Sequence, residues 1–247
     1  MVLYQEGSPE TEGLCPWQKD AISLFAEKMT SNKKFPCIPA TQAYGLKHLR
    51  YGFAGFPGSE STGIELADIL KQYSIKSRDF GKYTTLVVFF DTPAALIETN
   101  TVEDFEFLFW KLLNQLNEQD ELEWPAHIPT DPENSHWEFC FHGEQYFMYC
   151  ATPLHKNRDS RCFPYMMMAI TPRWVLKEFN SNPGYAEKIQ KQIRKRLHQY
   201  DAIEAHPELK KYGSEDNYEW KQYFLRDDDS ALSKCPFHGM LKASRDK

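Results

Sequence analysis

The chain has 247 residues, a formal net charge of −6, and 41% hydrophobic and 15% aromatic content. That is enough apolar material for one large core, while the acidic balance argues against general nucleic-acid binding. The longest apolar runs, Leu86 to Phe90 and Met166 to Ile170, fall far short of the roughly 18 residues needed to cross a membrane.

The polar, acidic start from Met1 to Gly13 does not read as a signal peptide, and a cytoplasmic protein without a membrane partner is expected. Residues 17 to 31 carry Ile22, Phe25, Ala26 and Met29 at helical spacing, and Lys33-Lys34-Phe35-Pro36 ends that helix. A short glycine-punctuated strand, Arg50 to Phe56, follows and stops at Pro57-Gly58. Thr62 with Glu65 has capping-box spacing ahead of a stripe of Ile64, Ala67, Leu70 and Tyr73. Tyr83 to Phe90 is a dense β-branched and aromatic run, expected to be a buried strand. Phe105, Leu108, Phe109, Leu112, Leu113 and Leu116 then give the clearest amphipathic helix.

Pro125, Pro129, Pro132 and Asn134 mark a long loop. Trp137 to Phe141 and Gln145 to Ala151 read as a hairpin with a type II′ turn at Gly143-Glu144. Period-2 alternation puts Trp137, Phe139, Phe141, Tyr146, Met148 and Cys150 on one face. Pro164 to Thr171 is a further buried strand, and helices are expected over 172–179 and 184–203. The tail from 204 is charged but holds Tyr218, Trp220, Tyr223 and Phe224. Interleaved helices and strands with at least one hairpin predict an α+β fold. Its largely antiparallel, mixed sheet of about five strands is covered by helices, and a single domain spans residues 1–247.

Lysines and arginines cluster between Lys188 and Arg196 at helical spacing, which reads as a solvated helix face. Six cysteines form no C-x-x-C pair, so reduced thiols are expected and covalent c-type haem attachment is excluded. Signatures for ATP, dinucleotide and serine-hydrolase chemistry are absent.

The segment between the last two strands carries His155, Arg158 and Arg161 at three-residue spacing. Three readings compete. In the first, His155 binds haem iron and the two arginine forks hold the propionates. In the second, His136, Glu138 and His155 form a two-histidine, one-carboxylate iron site for a non-haem oxygenase. In the third, His155 caps a loop while Arg158 and Arg161 make salt bridges with Asp159 or Glu144.

Several segments together resemble the YqcI/YcgG-like proteins. They are Phe35-Pro36-Cys37-Ile38-Pro39-Ala40 with Tyr51-Gly52-Phe53, the Trp137-x-Phe139-x-Phe141-x-Gly143 run, and His155-x-x-Arg158-x-Ser160-Arg161. Glu219-Trp220-Lys221-Gln222-Tyr223, Asp227-Asp228-Asp229 and Cys235-Pro236-Phe237 extend the likeness along nearly the whole chain. The resemblance implies a haem b (iron) oxygenase that hydroxylates a guanidino nitrogen of arginine or a related amino acid, with O2 and an external electron donor. A haem-binding or haem-sensing protein without turnover is the alternative. By that resemblance His155 is the expected iron ligand, with Arg158 and Arg161 on the propionates and Cys37 and His238 as further candidate ligands. The family pattern often has proline directly after the histidine, where this chain has Lys156. A cationic substrate calls for an anionic clamp, for which Glu138, Glu144 and Asp159 are candidates. Homodimerisation is left open.

Overall fold

The computed structural model describes residues 2–210 and 216–238. The remaining parts of the charged tail lie outside the described residues. Five apolar runs form β1 (Leu49–Ala54), β2 (Thr85–Phe90), β3 (Phe139–Phe141), β4 (Glu144–Ala151) and β5 (Met167–Pro172). They join in one sheet of order β1-β2-β5-β4-β3. Only β1 and β2 are parallel, linked by the crossover helix α3 (Glu60–Lys76) that a parallel pair requires; the other three pairings are antiparallel. The sheet is thus mixed and mostly antiparallel, as its hairpin and interleaved helices predict.

Both faces of the sheet are buried, so strand residues alternate between two cores rather than between core and water. Leu86, Val88, Phe90, Met148 and Ile170 enter the larger core, packed beneath α3 and α5 (Val102–Gln119). Val87, Phe89, Ala151 and Met167 face the other way, towards Phe25 and Met29 of α1 (Pro16–Thr30). At Gly52 a Cβ would stand 2.7 Å from a methyl of Ile69, so the glycine lets α3 lie close on β1.

Three local expectations change. α3 starts at Glu60, and the Thr62–Glu65 pair does not cap it. Instead the Thr62 hydroxyl donates to the Phe56 carbonyl (2.6 Å) and Glu65 accepts from the Gly55 amide (2.7 Å). The pair ties down the glycine turn before the helix. The hairpin turn is centred on His142-Gly143, both with positive φ (50° and 74°), which is type I′ rather than II′. Short helices α2 (Ile38–Gly45) and α4 (Ala94–Thr99) add to those expected. The C-terminal aromatics also fold inward: α8 (Trp220–Tyr223) is buried, with Trp220 against Trp110 of α5 (ring centroids 6.1 Å apart).

Helices α6 (Arg173–Asn180) and α7 (Pro183–Tyr200) are the remaining α-helices among the described residues. None of the described helices is long and apolar enough to cross a membrane. No disulfide joins any of the six cysteines.

Candidate functional site

The loop after β4 returns to β5 through a closed neck, where Thr152 N–H donates to Arg161 O and Phe163 N–H donates to Thr152 O. Within it His155 is 2% exposed. Its Nε2 lies 2.8 Å from the Leu225 carbonyl, which only accepts, so Nε2 carries the proton. Nδ1, 2.9 Å from the Thr152 hydroxyl, is then the acceptor. Desolvation, only partly offset by the Leu225 carbonyl, pushes this imidazole down to about 4. His155 is therefore neutral near pH 7, with both ring nitrogens engaged.

The two arginines are engaged as fully. Arg158 donates to the carbonyls of Arg226, Glu204 and Asp228 and to the Asp229 carboxylate, each at 2.9 Å. Arg161 donates to the carbonyls of Cys150, Tyr223 and Gln222 and lies over the Tyr149 ring, 4.2 Å from its centroid. The Asp227 carboxylate accepts the backbone N–H groups of Lys156, Asn157 and Arg158. The expected salt bridges to Asp159 and Glu144 do not form. Asp159 pairs with Lys33 (2.6 Å) and Glu144 with Arg78 (3.3 Å). The loop is a clasp on residues 222–229, and it offers neither a free imidazole nitrogen nor a free fork to haem.

Glu138, a candidate iron ligand or substrate clamp, is buried and pairs with Arg173 (3.1 Å). Arg173 also holds Glu219, whose carboxyl desolvation raises to about 7. His136 is exposed on the loop before β3, so the His136–Glu138–His155 triad is not assembled. No group of three His, Cys, Asp or Glu side chains among the described residues has metal-binding spacing. His238 is exposed, and its backbone N–H donates to Asn114.

Cys37 stands elsewhere. It is the N-cap of α2, and Pro39 presets the first turn of that helix. Its side chain lines an apolar cavity of about 200 Å3 between the second sheet face and helices α1, α2 and α6. Met29, Val87, Tyr149, Met167 and Val175 are among its walls, and Lys28 is at its edge. Burial pushes the Cys37 thiol up, while the positive charges of Arg161 and Arg196 act in the opposite sense. The Lys28 ammonium donates to the carbonyls of Asp159 and Cys162 (both 2.9 Å), which ties this wall to the end of the clasp loop.

A soft thiol among apolar and aromatic walls, with cations close by, is a donor set suited to haem. The volume is below the roughly 300–1,000 Å3 of typical ligand sites, so a macrocycle needs outward movement of α2 or α6. Sequence reasoning singled out the Phe35–Ala40 motif but missed this cavity. Its other walls come from six separate elements, and only Pro39 behind Cys37 marked the helix that closes it.

The model of the YqcI/YcgG family matches residues 25–238. Two Bacillus subtilis (strain 168) proteins, both named as uncharacterized, are similar over nearly full length. YqcI is 47% identical, covering 99% of this chain and 98% of its own. YcgG is 50% identical, covering 92% and 90%. A Streptomyces lavendulae protein provisionally named an N(omega)-hydroxy-L-arginine synthase, DcsA, is 30% identical, covering 90% of this chain and 84% of its own. No solved structure matches.

Proposed function

The chain belongs to the YqcI/YcgG family, and from that premise we propose that it is a haem-dependent oxygenase. Its substrate is a guanidino nitrogen of arginine or a related amino acid, and its cofactor site is the Cys37 cavity. The observation that carries the reading is a thiol in the wall of an apolar cavity, in a chain similar to a protein named for arginine N-hydroxylation. When bound, haem would supply O2 activation, and a thiolate ligand favours O–O cleavage.

This chain's own residues have three tasks. Cys37 would hold the iron as its thiolate, a state that burial disfavours and that the Ala40 backbone and the charges of Arg161 and Arg196 favour. The apolar walls exclude water from the reacting centre. Asp159 is the candidate clamp for the guanidinium. Of the three carboxylates considered, Glu138 is held by buried Arg173 and Glu144 sits at the hairpin with Arg78, whereas Asp159 and its partner Lys33 are both half exposed, and the Asp159 carbonyl accepts from Lys28 in the cavity lining.

Haem titration of the purified chain is the test. A Soret band should appear in the wild type, persist in His155→Gln, and be lost or shifted in Cys37→Ser. Asp159→Asn should raise KM for arginine about 10- to 100-fold, the worth of a charged hydrogen bond. Arginine-dependent O2 uptake should yield an N-hydroxy product. A chain that takes up no haem overturns the reading.

A further inference from the structure

One basic surface lies outside the Cys37 cavity, although its Arg196 also acts on the Cys37 thiol. Asn32, Lys33 and Lys34, from the connection between α1 and α2, meet Gln192, Lys195 and Arg196 of α7 across an open cleft of about 500 Å3. The cleft has no carboxylate in its lining, on a chain whose net charge is −6. Lys34 and Lys195 are exposed, and Lys188 continues the α7 stripe one turn before Gln192. Asp159 reaches over to pair with Lys33 (2.6 Å).

Sequence spacing alone suggests a solvated helix face. The fold instead brings two segments about 160 residues apart into one wide basic surface, too open to converge donors on a small anion.

The cleft and the Cys37 cavity share a wall. Tyr200 lines the cleft and packs edge-on against Phe35, with ring centroids 5.8 Å apart. Phe35 lines the cavity two residues before Cys37, and Arg196 donates to the Phe35 carbonyl (3.3 Å). One aromatic layer thus separates the basic surface from the candidate iron ligand.

We propose that this cleft docks an acidic one-electron carrier protein, which delivers electrons to the cavity through the Tyr200–Phe35 wall. The inference rests on the oxygenase reading above. Hydroxylation there follows R–NH2 + O2 + 2 e− + 2 H+ → R–NHOH + H2O. Two reduced carriers are each oxidised by one electron, one oxygen atom forms the N–O bond, and the other leaves as water. Complementary charge steers such an encounter and makes it salt-dependent.

An acidic [2Fe–2S] ferredoxin is the probe, titrated against the full chain with and without haem. Binding should weaken at least tenfold between low and physiological salt. It should weaken at least tenfold again in Lys34→Glu/Lys195→Glu, and stay unchanged in Lys191→Gln. With haem bound, the double variant should keep its Soret band and its reduction by dithionite while losing at least tenfold in reduction rate by ferredoxin. Ferredoxin that binds or reduces wild type and double variant alike overturns the docking site, even if dithionite-driven arginine hydroxylation upholds the oxygenase. Salt-dependent binding to a chain that takes up no haem upholds the docking surface and overturns the oxygenase.

Discussion

At the scale of single residues, His155 shows what burial does to a titratable group. A histidine in the unfolded chain takes up a proton below about pH 6.5, whereas in the fold desolvation holds that uptake off until about 4. The folded state is therefore favoured in full above 6.5, and that contribution is lost progressively as pH falls to 4. It amounts to on the order of 3 kcal/mol. Glu219 acts oppositely: its carboxyl is raised to about 7, so its contribution is present below its ordinary value and lost as pH rises through 7. The informative measurement is thus the difference between wild type and His155→Gln in urea unfolding at pH 4, 5 and 6.5. The variant should lack the acid-side loss, and parallel pH curves would show that His155 is not buried neutral. The sequence marked this position as unusual without revealing what the imidazole meets, because Leu225 lies 70 residues away.

The elements explain why widely separated segments of the family likeness occur together. His155-x-x-Arg158-x-Ser160-Arg161 grips the very stretch, 222–229, that includes part of Glu219–Tyr223 and Asp227–Asp229. Lys156, where the family pattern often has proline, supplies one of the three N–H groups held by Asp227, a bond proline cannot make. Asp227→Ala should cost about 1–2 kcal/mol. It should also speed hydrogen exchange of the 156–158 amides at least tenfold by mass spectrometry. Unchanged exchange there would sink the clasp. Strands and long helices were legible because their periodicity is local, as in the apolar stripe of α5. The turn type was not, since it depends on His142 taking a positive φ, with its N–H donated to Asp120 (2.9 Å).

For the whole molecule, the two sheet faces are filled differently. Under α3 and α5 the aromatic core is continuous, with residues such as Phe109, Leu113 and Met148 fully buried. On the other face the space between β4, β5, α2 and α6 is left open beside Cys37. No stretch of sequence encodes such a gap, because it is the difference between volumes contributed from many elements. Close packing is the rule in protein interiors, so an unfilled apolar space is either a weakness or a site. Ala169, on β5 between Val87 and Tyr149, separates these outcomes. A leucine there fills part of the cavity without touching Cys37 chemistry. If the space is only a packing defect, Ala169→Leu should stabilise the chain, each filled methylene contributing about 1 kcal/mol, and leave haem uptake as it was. As a cofactor site it predicts a different result: haem affinity reduced at least tenfold in Soret titration, whatever the change in stability. Full-strength haem binding by a folded Ala169→Leu chain would place the cofactor elsewhere.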